Sequence, residues 1–194
     1  MTVAVFVPEP EPPELVARNI AVGMRLWAAA TALAFLGPFF AYLYLRSLNT
    51  ADLWRPAGVD PPQVLGGAIV VLTVTSALIL VLASRRSQAD GPSLLLEAVS
   101  LALGLGAVAL QIVAYVRLEF GPTDGGYASV FVAWSGLSSL FAFATMLWLE
   151  TFLVSSWRGT TDAVRGPRLA ALAFYWAFLA GLSAVMWFCL YVTA

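Results

Sequence analysis

The sequence predicts an all-α, polytopic membrane protein built as one bundle of five transmembrane helices. Three observations carry this. Of 194 residues, 61% are hydrophobic and only 11% charged, with a mean hydropathy of +0.87; a soluble domain sits nearer about 45–50% apolar and about 25% charged. Five separate stretches reach the roughly 20 apolar residues needed to cross a hydrocarbon core about 30 Å thick. The connections between them are too short to fold as a soluble domain.

The first stretch runs from Val22 to Leu45, with Arg25 near its start and Pro38 inside it. The second runs from Val64 to Ala83 and the third from Ser93 to Val116. The fourth, Tyr127 to Ser156, is roughly 45 Å long at 1.5 Å per residue and is expected to tilt or project beyond the bilayer. The fifth covers Leu169 to Thr193. Residues 1–17 are read as an extended tail rich in proline and glutamate, and residues 18–194 as a single membrane domain.

Arginine placement predicts the orientation. The side shared by the N-terminus and the second and fourth loops holds seven arginines: Arg18, Arg25, Arg85, Arg86, Arg158, Arg165 and Arg168. The other side holds three: Arg46, Arg55 and Arg117. The N-terminus is therefore expected in the cytoplasm and the C-terminus outside, in a bacterial inner membrane.

Composition also limits the chemistry. There is no histidine, and Cys189 is the single cysteine. Histidine-ligated haem, imidazole copper sites, Ser-His-Asp or Cys-His catalysis and intrachain disulfides are excluded. A net charge of −1 offers no basic face for nucleic acid. No catalytic, metal or cofactor-binding residue is therefore assigned.

Ionisable residues at membrane depth are costly and become the candidates. Glu97 lies about one turn into the third helix, within reach of Arg85 and Arg86, and reads as an interfacial carboxylate, with a proton or subunit contact as the alternative. Glu150, two turns before Arg158, reads as an interfacial or subunit-contacting group, with proton traffic as the alternative. Arg85 and Arg86 are suited to lipid head groups. Gln111 reads as interhelical glue. Thr73, Thr75, Ser76, Ser135, Ser138 and Ser139 are expected to bond carbonyls of their own helices. Gly66, Gly67, Gly104 and Gly106 are expected to permit close helix approach. The seven tryptophans are expected mostly in an aromatic belt at the helix ends.

The segment LQIVAYVRLEFGPTDGGYASVFVAWSGLSSLF, from Leu110 to Phe141, resembles subunit III of the haem-copper terminal oxidases. Gln111, Tyr115, Asp124, Gly125, Tyr127, Phe131 and Gly136 fall at matching places. FFAYLYLRSL, from Phe39 to Leu48, followed by Trp54, Pro56 and Pro61, is similar to the family's third helix and the loop after it. Tyr175-Trp176-Ala177-Phe178 is similar to its Tyr-Trp-His-Phe signature. The resemblance covers nearly the whole chain without counterparts of the family's first two helices, as in a five-helix bacterial form.

Several family positions differ. The buried glutamate of the first matching helix falls near Thr31 or Ala32, and the glutamate before the tyrosine is Ala114. Paired histidines fall at Ser138 and Phe141; the signature histidine is Ala177 and the following acid Ala180. Each change removes a group able to hold or relay a proton. The resemblance thus implies a non-catalytic subunit III of a respiratory cytochrome c oxidase, a proton-translocating complex. Haem and copper would lie in partner subunits I and II, while this chain stabilises subunit I and binds phospholipid. The alternatives are a subunit III-like accessory protein of a quinol oxidase or nitric oxide reductase, or an autonomous small transporter. An enzyme using Glu97 and Glu150 is disfavoured, because nothing places them together.

Overall fold

The structure, a computed structural model, describes residues 11–49, 54–56, 58–89, 93–158 and 164–193. Within them the chain forms α1 (Pro13–Ser47), α2 (Gln63–Gln88), α3 (Leu94–Val116), α4 (Gly126–Trp157) and α5 (Arg165–Trp187). A π-helical turn, Phe188–Val192, continues α5. All five helices are long and apolar enough to span a membrane, as the sequence predicts.

The helices are longer than the apolar stretches alone suggest. α1 starts at Pro13, inside the segment expected to be an extended tail, and residues 1–10 lie outside the described ones. Pro13 is compatible with this because the first helical position needs no N–H, and Glu14 sits in the positively polarised first turn. At 35 residues the helix is about 53 Å long. It passes through Pro38 without ending. α2 runs on through Arg85 and Arg86, and α5 begins four residues early, with Pro167 in its first turn. Charged residues expected in loops therefore lie in helical extensions of the apolar stretches.

The helix α5 is the centre of the bundle. It packs against α1, α2 and α4, while α2 also packs on α3, α3 on α4, and α4 on α1. Half of its apolar span is buried, against 22% for α1. The α2–α3 contact carries an interhelical exchange: Ser76 Oγ donates to the Ser100 carbonyl at 2.7 Å, and Ser100 Oγ donates to the Ser76 carbonyl at 2.9 Å. Ser76 thus bonds across helices, correcting the expectation that it would serve its own helix. Thr73, Ser135, Ser138 and Ser139 do donate to carbonyls four residues back in their own helices. With no hydrophobic drive between helices in lipid, packing and such bonds carry association.

Two of the glycines expected at close contacts are there. A Cβ on Gly66 would run into the Tyr191 ring, and one on Gly104 into the Met146 side chain. Gly67 and Gly106 face open space instead, since they lie on the outward sides of the same helices.

Candidate functional site

The polar residues gather at the two ends of the bundle. At the end formed by the start of α1, α3 and α5, one arginine joins four helices. Arg165, the first residue of α5, donates from Nη2 to both oxygens of Glu97, at 2.8 and 3.0 Å. Its Nε donates to Ser156 Oγ on α4 at 2.9 Å, and its Nη1 to Ser87 Oγ on α2 at 3.1 Å. The guanidinium also lies over the Phe152 ring, 5.2 Å from its centre. Glu97 is wholly buried, and Ser93, four residues earlier, donates to its Oε1 at 2.7 Å. A buried carboxylate needs such a shell, because desolvation otherwise exceeds the Coulombic gain.

This differs from the expected geometry. Glu97 points into the bundle toward α5 rather than snorkelling to the surface. Arg85 and Arg86 are exposed on the last turns of α2. The helical register decides it: Glu97, Ser100, Gly104, Ala107 and Gln111 form the buried face of α3. Arg165 carried no local signal for this role, since it lies 68 residues from its partner.

Glu150 stays apart from Glu97. It is exposed on α4 and, among the described residues, makes no hydrogen bond or ion pair. It lines a surface hollow with Arg158, two turns further on. Beside it, a larger cleft of about 610 Å³ opens between α1, α4 and α5. Met24, Trp27, Trp148 and Phe152 form its apolar walls, with Arg168 at the edge. A second cleft, of about 360 Å³, lies across the α1–α5 contact and includes Arg25 and Phe174.

The opposite end is an aromatic cap that includes residues singled out by the sequence resemblance. Gly125 precedes α4 with φ +126° and ψ 174°, a region open to glycine alone. Asp124 steadies the turn before it, its carboxylate accepting the Gly121 N–H at 2.6 Å. Tyr127, fully buried, then donates from its backbone N–H to the Trp54 carbonyl at 2.9 Å and from its hydroxyl to the Leu190 carbonyl at 2.7 Å. The Arg55 guanidinium lies 5.1 Å from its ring centre. One tyrosine thus ties the α1–α2 connection to the end of α5.

Tyr115, on α3, shares a 2.7 Å hydrogen bond with Ser135 of α4, and Gly136 leaves room for its hydroxyl. Tyr175 meets Thr31 of α1 at 3.1 Å, and Trp176 donates to Ser76 Oγ of α2 at 2.9 Å. Of the two positions near the family's glutamate, Thr31 is the buried one. Trp54, Trp134 and Trp176 are buried in the core, which corrects their assignment to an aromatic belt. Trp27, Trp148 and Trp157 are exposed. The partners of Thr31, Ser100 and Arg165 escaped the sequence reading because each lies far away along the chain. Among the described residues no group of three or more metal-ligating side chains comes together.

Comparison with known proteins points to one family. The profile of cytochrome c oxidase subunit III matches residues 11–194. Cytochrome c oxidase subunit 3 of Ornithorhynchus anatinus is 28% identical over 187 residues, covering 93% of this chain and 70% of that protein. The proteins of the same name from Struthio camelus and Danio rerio are 30% and 31% identical, each covering 92% of this chain and 69% of the relative. A multi-pass bundle matched along all but its first ten residues, the chain belongs to the cytochrome c oxidase subunit III family.

Proposed function

We propose that this chain is the non-catalytic subunit III of a respiratory cytochrome c oxidase, seated beside subunits I and II. In that complex haem and copper reside in the partners, oxygen is reduced and protons are translocated. This chain covers apolar surface of subunit I, excludes water from it and holds phospholipid against the bundle. Its N-terminus faces the cytoplasm of a bacterial cell, and its membrane is the inner one.

One observation carries the scaffold role. Glu97 is the only buried carboxylate among the described residues, and its oxygens are occupied by Arg165 and Ser93. These bonds tie α3 to α5, as a packing element requires. The lipid role is supported by the clefts beside α1, with aromatic walls and with Arg25 and Arg168 at their edges. That pairing suits an acyl chain below an anionic head group. Arg85, Arg86 and Glu150 extend the polar rim available to head groups or a neighbouring subunit.

The test is isolation in mild detergent through a tag on the N-terminal segment. Haem absorbance with oxygen consumption in the eluate supports the assignment, and copper of a dinuclear subunit II centre identifies cytochrome c as donor. A haem-free monomer overturns it. Nitric oxide reduction or quinol oxidation by the eluate moves the chain to another complex.

A further inference from the structure

Between α2, α3, α4 and α5, toward the end capped by Tyr127, lies a cavity of about 30 Å³. Its walls are largely apolar, yet two of the residues that line it, Gln111 and Trp187, carry a buried N–H donor, Nε2 and Nε1. Neither reaches an acceptor among the described residues. Gln111 is only 6% exposed, and folded proteins leave few such donors unpaired.

The same walls hold acceptors that the donors do not reach. The hydroxyls of Thr73, Ser138 and Ser139 each give a proton to a carbonyl of their own helix, at 2.8, 3.0 and 2.8 Å. Their oxygens keep lone pairs. An occupant of the cavity is called on to accept from the two N–H groups and is free to donate to the hydroxyl oxygens. Water has that pattern. A lipid ester or a partner's carbonyl accepts but cannot donate. The volume exceeds the roughly 10–15 Å³ one water requires and is far below the roughly 300 Å³ of an organic-ligand pocket.

We infer that this half-open cavity is a hydration site, in which one or two ordered waters accept hydrogen bonds from Gln111 Nε2 and Trp187 Nε1. Gln111 then joins α3 to its neighbours through water rather than by direct contact.

The test is water-edited, proton-detected solid-state NMR of the full chain, with its co-purifying partners, in phosphatidylcholine vesicles. Glutamine side chains and tryptophan indoles carry ¹⁵N, and Gln111→Leu and Trp187→Phe assign the two signals. Water magnetisation is expected to reach both N–H groups, and Gln111→Leu to reduce transfer to the Trp187 indole about twofold or more. Ala107→Val fills the cavity with both donors in place and is expected to abolish transfer. Signals free of water transfer, transfer from acyl chains or a partner instead, or water transfer that survives Ala107→Val overturns the inference.

Discussion

The Nη2 nitrogen of Arg165 sits 2.8 and 3.0 Å from the two carboxylate oxygens of Glu97, and the two residues differ in burial: the arginine side chain is 18% exposed and the glutamate 0%. The pair is therefore asymmetric in what its loss would cost. Arg165→Leu strands a charge in the core, and breaking a buried pair in this way costs about 3–5 kcal/mol. Glu97→Gln leaves a cation that extends toward the surface, so it should cost less. Thermal unfolding of both variants in one detergent checks the order; equal or reversed losses would remove the argument from burial.

Neither carboxylate is expected to serve turnover. In the assembled oxidase, Glu97→Gln and Glu150→Gln should each leave oxygen reduction and proton pumping within a factor of about two. A tenfold loss with the complex intact would put the affected acid on a proton route.

Neighbouring glycines of α2 should respond oppositely to alanine. At Gly66 the new Cβ meets the Tyr191 ring, which is rigid and packed, so Gly66→Ala is expected to destabilise by about 1–3 kcal/mol. At Gly67 nothing lies within 4 Å, and the gain in helix propensity, up to about 1 kcal/mol, is unopposed. Apparent melting temperatures should move down for the first and stay or rise for the second.

The turn into α4 depends on a backbone state. Gly125→Ala forces a side chain into φ +126°, at a cost of about 1–3 kcal/mol. Because Tyr127 follows two residues later, protease sensitivity should appear first near the Trp54 connection. Cleavage rates unchanged from the parent chain would contradict this.

Anionic lipid should follow the arginines that edge the clefts. Arg25→Gln with Arg168→Gln should lower co-purified phosphatidylglycerol at least twofold by native mass spectrometry. Retention at the parental level would place the lipid elsewhere.

Much of this architecture was legible because the bilayer imposes a simple length rule: each apolar stretch became a spanning helix. Boundaries at the membrane surface were not, since Ser84 to Gln88 and Arg165 to Arg168 are polar yet continue helices. Asp124 and Gly125 stood out only through the family resemblance, and the glycine-only backbone of their turn became visible in the structure. Ser76 and Glu97 could be seen as polar residues in apolar runs, but their partners could not. Ser100 lies 24 residues and Arg165 68 residues away, and helical register, rather than local composition, brings them together.

The position of α5 has a consequence for biosynthesis. The helix with the greatest enclosed share is made after the four others of the bundle. The α2–α3 hairpin can lock early through its reciprocal serines and α4 can then dock on α3 and α1, but the bundle closes only when α5 packs against α1, α2 and α4. A stalled or prematurely terminated chain would thus reach the membrane fully inserted yet unassembled, with the faces meant for α5 open to quality-control proteases.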